Sequence, residues 1–319
     1  MSLISVKNLV RYYGNYCAVD DISFTLQAGD ILGFLGPNGA GKSTTMQILS
    51  GNLAPSEGEI LINGIDLLDH PKQAKASIGY LPEVPPLYKE MTVDEYLYYC
   101  AKLHNIRKIE IRDTVDLARK RCGLADIGKR LIGNLSKGYQ QRVGIAQAIL
   151  HSPKIIILDE PTVGLDPNQI REIRELIAEL GKEHGIILCT HILPEVQAVC
   201  NRVQIINEGK LVYEADKDQL LNNQETNSYE VRLLNPPSIN DLSNIDNVNN
   251  VERLHDNTFL VHMDENSADS LTRAAVENNW GLNKLAPYKQ TLEQIFVELT
   301  LGEADSAAET ATSDEGQNL

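Results

Sequence analysis

The sequence predicts an α/β fold followed by a small α+β module, and three observations support this prediction. Up to about residue 215, strand-like apolar runs alternate with helical stretches, as expected around a largely buried sheet. The clearest interior strands are 155–158 and 185–189. Beyond residue 221 the composition shifts to Asn, Asp and Ser, and the pair Pro236-Pro237 interrupts the chain. We therefore place a domain boundary near 216–228.

The predicted first domain covers residues 1–218. Within it, the strand signal lapses after Pro85-Pro86, and the pattern becomes mostly helical. This indicates a helical insertion at about 85–150. A hairpin that turns at Glu208-Gly209 is predicted near the end of the domain.

The second predicted domain covers residues 228–302 and has the pattern of a small α+β unit. Residues 229–234 and 258–263 read as strands. A helix follows, in which Thr291 and Gln294 form a capping box in front of an apolar stripe: Leu292, Ile295, Phe296 and Leu299. The remaining segment, 303–319, is acidic without a basic residue, and it is predicted to be disordered.

The composition excludes several functional classes. The net charge is −15, from 29 basic and 44 acidic residues, which disfavours nonspecific binding to nucleic acid or anionic lipid. The five cysteines show no C-x-x-C spacing, so we expect reduced thiols in a reducing cytoplasm. No apolar run approaches the roughly 18 residues of a membrane span, and the N-terminus has no secretion signal.

Residues 36–44 fit the pattern G-x-x-x-x-G-K-[ST] of a phosphate-binding loop. They follow a strand-like run and precede an apolar helical pattern, so backbone N–H groups and a helix N-terminus point at one anion. Lys42 can then reach the β- and γ-phosphates, and Ser43 can ligate Mg²⁺. The predicted phosphate-binding residues are Gly36, Pro37, Asn38, Gly39, Ala40, Gly41, Lys42, Ser43 and Thr44.

The apolar run 155–158 ends in two carboxylates, Asp159 and Glu160. An acid at the end of a buried strand beside a phosphate-binding loop can hold the Mg²⁺ water shell, and we assign Asp159 to that role. Glu160 can orient or deprotonate the water that attacks the γ-phosphate. The sequence therefore predicts hydrolysis of a nucleotide γ-phosphate at this strand end.

The segment Leu135-Ser-Lys-Gly-Tyr-Gln-Gln-Arg resembles the signature of ATP-binding cassette (ABC) proteins, whose usual form is L-S-G-G-Q. Lys137 replaces the first of its two glycines, and Tyr139 replaces its glutamine. Ser136 and Gly138, which meet the γ-phosphate in that family, are retained. A serine hydroxyl and a glycine amide at the start of a helix form an anion site at its positive end.

The resemblance, which covers about residues 1–215, implies roles for four more residues. Tyr13 matches the aromatic residue that stacks on adenine, and His191 matches the histidine that senses the γ-phosphate. Asp166, in Gly164-Leu-Asp-Pro167, matches the loop that couples two nucleotide sites. Glu83 stands where the family normally carries a glutamine that touches the metal and relays to the membrane partner. A carboxylate there can still ligate Mg²⁺, but it adds negative charge near the phosphates.

Taken together, the resemblance implies a P-loop NTPase cassette, with ATP and Mg²⁺ as cofactors, that powers a separate integral-membrane permease. In this family each nucleotide site joins one subunit's phosphate-binding loop to the signature of the other, so a head-to-tail homodimer is expected. The C-terminal pattern resembles subunits of drug, polysaccharide and gliding-motility exporters. The expected location is peripheral, at the cytoplasmic face of the inner or plasma membrane.

Two alternatives use the same ATPase head. One is a soluble ABC-type ATPase acting on the ribosome or nucleic acid, which would usually show two cassettes, a coiled coil or basic patches. The other is a regulatory ATP-binding module. We expect no direct nucleic-acid binding, because the chain shows one cassette and a charge of −15.

Overall fold

The computed structural model describes residues 2–216, 224–263, 268–289 and 291–300. The chain divides into two units, one of Met1–Lys217 together with Glu298–Leu319, and the other of Asp218–Val297. The predicted acidic tail, 303–319, lies outside the described residues.

A four-stranded antiparallel sheet opens the first unit. It consists, in the order β2-β1-β4-β5, of strands β1 (Ser2–Tyr13), β2 (Tyr16–Gln27), β4 (Glu57–Ile62) and β5 (Ile65–Asp66). Buried and exposed residues alternate along the second half of β2, so one face of this sheet is covered. The sequence predicts an α/β core around one sheet. It does not predict this four-stranded antiparallel sheet.

The second sheet of the unit has six strands in the order β10-β9-β3-β8-β7-β6. They are β3 (Ile31–Leu35), β6 (Ile78–Leu81), β7 (Ile155–Asp159), β8 (Gly185–Thr190), β9 (Arg202–Asn207) and β10 (Lys210–Asp216). All neighbours are parallel except β9 and β10. The carboxyl ends of five strands therefore lie at one edge, where ligands of such sheets bind.

Seven helices accompany these sheets: α1 (Lys42–Leu49), α2 (Pro71–Lys75), α3 (Val93–Leu103), α4 (Ile111–Arg121), α5 (Lys137–Ile149), α6 (Pro167–Leu180) and α7 (Leu193–Val199). Helices α3, α4 and α5 all lie between β6 and β7 in the chain. Thr92 and Glu95 form a capping box that begins α3. Helix α5 packs closely on β6. A Cβ at Gly79 would lie only 2.1 Å from the Ala148 carbonyl oxygen, so glycine is needed at that position.

The core of the first unit joins both sheets. Phe24 of β2 and Phe34 of β3 are buried with their ring centroids 5.7 Å apart. Met46, Ile48 and Leu49 of α1 belong to the same cluster and are fully buried. Because α1 is anchored in this core, the loop that precedes it is held at both ends by packed elements.

The hairpin predicted at Glu208-Gly209 joins β9 to β10. Both turn residues have positive φ, 47° at Glu208 and 82° at Gly209. Positive φ at both central residues is the geometry that matches the twist of two-residue hairpins. The prediction of this hairpin is confirmed.

The second unit has an antiparallel sheet in the order β12-β13-β11-β14. Its elements are β11 (Gln224–Leu233), α8 (Ile239–Ser243), β12 (Val248–His255), β13 (Thr258–Met263), α9 (Ala268–Glu277) and β14 (Leu282–Lys289). Phe259 and Val261 are buried in its core with Leu271 of α9. The strand predicted at 258–263 coincides with β13.

The last described helix, α10 (292–300), begins after the predicted capping box. The Thr291 N–H donates to Gln294 Oε1 at 2.9 Å, and the Gln294 N–H donates to Thr291 Oγ1 at 3.2 Å. None of the helices in the described ranges is long and apolar enough to cross a membrane.

Candidate functional site

A pocket of about 420 Å³ lies at the edge of the six-stranded sheet where the parallel strands end. It is lined by Tyr13, Tyr16, Ala18, Asn38, Gly39, Gly41, Lys42, Ser43, Thr44, Glu83, Glu160, Val163 and His191. Tyr13 ends β1, Tyr16 and Ala18 lie in β2, and the other residues follow β3, β6, β7 and β8. The two sheets thus bring together side chains that are up to 178 positions apart in the sequence, from Tyr13 to His191.

The phosphate-binding loop connects β3 to α1 through glycines that no other residue could replace without strain. Gly39 and Gly41 have φ of 84° and 100°, in the left-handed region. A Cβ at Gly36 would lie 2.3 Å from the Ile206 carbonyl oxygen, and one at Gly41 would lie 2.4 Å from the Ala18 carbonyl oxygen. The loop is therefore fixed against β9 and β2 before α1 begins at Lys42.

Lys42 places a buried cation under this loop. Its side chain is 5% exposed, and Nζ donates to the carbonyl oxygens of Gly36 at 2.9 Å and Pro37 at 3.1 Å. Nζ also lies 3.8 Å from Glu160 Oε1. The charge is thus held within the loop by oxygen acceptors, in a pocket where a phosphate would meet it with little competing water.

Oxygen ligands suited to a hard cation lie beside the lysine. Ser43 Oγ donates to Asp159 Oδ1 at 3.4 Å, and Glu83 lines the same pocket. Burial raises the pKa of Asp159, the charges of Glu160 and Glu83 raise it further, and hydrogen bonds from Cys189 and Ser43 oppose this shift. A hydroxyl with two carboxylates is the kind of donor set that Mg²⁺ prefers, so these residues fit that ion.

Glu160 adopts a backbone conformation that is uncommon for a residue with a side chain. Its φ is 48°, which typically costs on the order of 1–3 kcal/mol unless the surroundings impose it. His191 Nδ1 lies 2.8 Å from Glu160 Oε1, and the Thr190 hydroxyl lies 3.4 Å from Glu160 Oε2. The carboxylate is only 7% exposed, and its direction is set by these neighbours.

Outside the loop, four of the predicted residues do not line the pocket: Ser136, Gly138, Asp166 and Asp159, the last of which contacts Ser43. Ser136 caps α5, and Asp166 caps α6 by accepting hydrogen bonds from the N–H groups of Asn168 and Gln169, both at 3.0 Å. A Cβ at Gly138 would lie 2.5 Å from Gln169 Oε1. The signature segment is therefore packed against the first turn of α6, and neither Gly138 nor Asp166 lines the pocket of its own chain.

The remaining loop residues are divided between this pocket and a neighbouring groove. Pro37 and Ala40 line that groove with Cys17 and Asn207, and they do not line the pocket itself. Gly36 contacts Lys42 through its carbonyl oxygen. The other predicted loop residues all line the pocket.

Sequence reasoning missed three residues that line the pocket, Tyr16, Ala18 and Val163, and also Thr190, which contacts Glu160. Tyr16 pairs with Tyr13 across the β1–β2 hairpin, and its hydroxyl lies 3.5 Å from the Gly39 carbonyl oxygen. The spacing Tyr-Gly-Asn-Tyr, a two-residue turn between aromatic residues, could have indicated this pair. Thr190 is fully buried, and nothing in its sequence context distinguishes it from a core residue. The guanidinium of Arg11 lies 4.9 Å from the centre of the Tyr13 ring.

Comparisons with known proteins agree with this geometry. A family model described as ABC transporter matches residues 19–163. The chain is 36% identical over 304 residues to the bacitracin transport ATP-binding protein BcrA of Bacillus licheniformis, covering 94% of this chain and 98% of that protein. It is 29% identical over 306 residues to the linearmycin resistance ATP-binding protein LnrL of Bacillus subtilis, covering 93% and 98%.

Solved structures match about two thirds of the chain. CbiO1 of Clostridium perfringens, part of the ABC transporter complex CbiONQ, superposes with a TM-score of 0.64 at 32% identity, over 70% of this chain and 92% of that one. The structure of an ATP-binding subunit of an ABC transporter gives a TM-score of 0.62 at 33% identity, over 68% and 91%. The predicted cassette fold and the resemblance given by the signature are both confirmed. The chain belongs to the family of ATP-binding subunits of ABC transporters.

Proposed function

We propose that this chain hydrolyses ATP in a Mg²⁺-dependent reaction and thereby powers a separate membrane-spanning permease that exports its substrate. The observation that carries the proposal is that Lys42, Ser43, Glu160 and His191 line one pocket. Ser43 also contacts Asp159, and His191 contacts Glu160. A site that only binds nucleotide needs the loop and its lysine. The buried carboxylate at the end of β7 adds a base for the attacking water.

Each residue has a defined task in this proposal. Lys42 binds the β- and γ-phosphates, and Tyr13 stacks on the adenine. Ser43, Asp159 and Glu83 would hold Mg²⁺, which neutralises phosphate charge when it is bound. Glu160 orients the water and accepts its proton. His191 fixes Glu160 through Nδ1 and senses the γ-phosphate.

We further propose a head-to-tail homodimer that closes on two ATP molecules. Ser136, Gly138 and Asp166 do not line the pocket of their own chain, and in this proposal a second copy supplies them. Closure on ATP and reopening after hydrolysis would then be transmitted to the permease through Glu83 and the helices α3–α5.

The names of two relatives support the proposal of export. BcrA is a bacitracin transport protein and LnrL a linearmycin resistance protein, which supports transport of a compound out of the cell. These names favour a transporter over a soluble ATPase that acts on the ribosome or nucleic acid. We propose a peripheral position at the cytoplasmic face of the membrane. The proposed domains are a nucleotide-binding domain at 1–218 and an accessory domain at 228–302. Regulation of dimer opening is a second proposed task of the accessory domain.

The variant Glu160→Gln tests the proposal. It should bind ATP with wild-type affinity but hydrolyse it on the order of 10²–10⁴ times more slowly, because the amide cannot accept a proton. Phosphate release measures hydrolysis, calorimetry measures binding, and light scattering on a sizing column with MgATP measures dimerisation. Glu179→Gln, an exposed glutamate of α6, is the matched control.

Three outcomes would contradict parts of the proposal. Hydrolysis by Glu160→Gln at the wild-type rate would remove Glu160 from the role of base. A monomer at saturating MgATP would exclude the shared nucleotide sites. Tagged Glu160→Gln recovered from detergent-solubilised membranes with ribosomal proteins, and without a multi-spanning protein, would overturn the transporter assignment.

A further inference from the structure

A buried glutamate outside the pocket contacts both chain segments that carry the Glu160–His191 pair. Glu195 lies in the first turn of α7 and is 1% exposed. The Thr162 hydroxyl donates to its Oε1, and the Thr190 hydroxyl donates to its Oε2 at 2.9 Å. Both oxygens of this carboxyl group are therefore engaged inside the protein.

The two threonines belong to the ends of neighbouring parallel strands. Thr162 lies two residues after Glu160 in the turn that follows β7. Thr190 is the last residue of β8 and directly precedes His191. The carboxyl group of Glu195 thus bridges the two segments at the point where both leave the sheet.

The hydroxyl of Thr190 links this buried carboxyl group to the reactive one. Its single proton has two carboxylate acceptors, Glu195 Oε2 at 2.9 Å and Glu160 Oε2 at 3.4 Å. The same oxygen accepts a hydrogen bond from the Ile192 N–H at 3.1 Å, directly after His191. Since a hydroxyl has one proton, the shorter bond to Glu195 fixes how the hydroxyl faces Glu160.

Burial of the Glu195 carboxyl group near the charge of Glu160 costs free energy, which a residue with a purely structural role would not require. Burial raises its pKa, and the charge of Glu160 raises it further, whereas the two threonines and Arg174 of α6 lower it. Arg174 Nε is itself buried without a hydrogen-bond partner in the described residues. An apolar side chain could fill this position without burying a carboxyl group next to Glu160.

We propose that Glu195 is a positioning residue of the hydrolytic site, which acts through Thr162 and Thr190 to hold His191 Nδ1 against Glu160 Oε1. This inference rests on the proposed function, because that function assigns the Glu160–His191 pair to hydrolysis. Glu195 itself touches neither the pocket nor, in this proposal, the nucleotide.

Kinetics of three single variants and one double variant test the inference. Glu195→Gln and Thr190→Val should each lower kcat by on the order of 10–100-fold, as is usual when a residue that orients a reactive group is lost. The affinity for ATP should stay within about twofold, since ground-state binding is unchanged. Thr190→Ser keeps the hydroxyl and should retain most of the activity. The double variant Glu195→Gln/Thr190→Val should fall no further than either single variant, because both act on one contact.

A spectroscopic measurement does not depend on turnover. The ¹⁵N resonance of His191 Nδ1, assigned with His191→Gln, reports its hydrogen bond and should shift in Glu195→Gln but not in the control Glu179→Gln. If Glu195→Gln does not fold, the His191 resonance is compared between Thr190→Val and Thr190→Ser. It should shift in Thr190→Val and not in Thr190→Ser.

The outcomes separate this inference from the proposed function. Unchanged kcat together with an unshifted His191 resonance in Glu195→Gln, with only a lowered Tm, would overturn the inference and leave hydrolysis intact. A wild-type chain that hydrolyses no ATP would contradict the proposed function, and a His191 resonance that still shifts would support the positioning role of Glu195.

Discussion

The two units of this chain bury different kinds of residue. In the first unit Lys42, Asp159, Glu160 and Glu195 are all at most 6% exposed. In the described part of the second unit the buried polar residues are Ser228 and Thr258, and no charged residue is buried. Both units have an apolar core, so the difference does not come from the lack of a core in either.

The buried charges mark where the reactive groups of the molecule are located. Burying a charge costs free energy unless it is paired, and such charges are kept where a ligand or a reaction uses them. The first unit accepts this cost at the end of its parallel sheet. The buried residues in the described part of the second unit are apolar except for those two hydroxyl-bearing side chains.

Lys42→Ala should produce the largest effect on the first unit. Removal of the buried cation should weaken ATP binding by about 1,000-fold, which is roughly 4 kcal/mol. Among the described residues, Lys42 is the only lysine or arginine that lines the pocket. Calorimetric titration measures the affinity, and Lys72→Ala on the surface of α2 is the control. Undiminished ATP binding would mean that the loop does not hold the phosphates.

Phe259→Ala should affect the second unit with no comparable effect on the pocket. Phe259 is 1% exposed in the core, and its loss should lower the stability of that unit by about 3–4 kcal/mol. Hydrogen exchange of strands β11–β13 measures this change, and Val276→Ala, at an exposed position, should leave it unaffected. A parallel loss of ATP affinity under conditions where the variant stays folded would show that the second unit contributes to binding.

His151, a half-buried residue of the first unit that does not line the pocket, makes the stability of the protein depend on pH. The pKa of His151 is lowered to about 4, first by burial and then by the neighbouring His104, whose ring stacks on it at 4.0 Å. The folded protein therefore binds fewer protons than the unfolded chain between pH 4 and 6.5, and its stability should fall as the pH drops through that window.

The expected loss is about 2 kcal/mol, less than the full shift because the ring is partly open to water. His151→Gln can keep a hydrogen bond to the Ile78 carbonyl oxygen and should flatten the pH dependence of Tm, whereas the exposed His70→Gln should not. An equally steep fall in His151→Gln would assign the acid sensitivity to other groups.

Tyr13→Ala should give the smallest effect, a loss of about 1–2 kcal/mol in ATP affinity, since stacking on a base is worth roughly that much. Tyr12 is an ideal control, because both rings are 46% exposed and only Tyr13 lines the pocket. Fluorescence titration with a nucleotide analogue measures the affinities. Equal losses in Tyr12→Ala and Tyr13→Ala would place the adenine elsewhere, and a larger loss in Tyr16→Ala would move the stacking role to that residue.

The sequence by itself determined the local features of this protein. The phosphate-binding loop is contiguous, so its glycines, Lys42 and Ser43 could be recognised from spacing alone. The strand 155–158 and the Glu208-Gly209 hairpin were equally clear, because a continuous apolar run and a turn pair are short-range signals. The N-terminal antiparallel sheet was missed, since its strands alternate only in part and pair over long distances.

The tertiary structure alone decided which distant residues meet. His191 could be placed at a strand end from the sequence, but its 2.8 Å contact with Glu160 depends on β7 and β8 being neighbours in the sheet. The same holds for Tyr16 beside Gly39, and for Glu195 between Thr162 and Thr190. Local sequence sets the conformation of each segment, whereas strand order, which is chosen by burial of the whole core, sets the distances between segments.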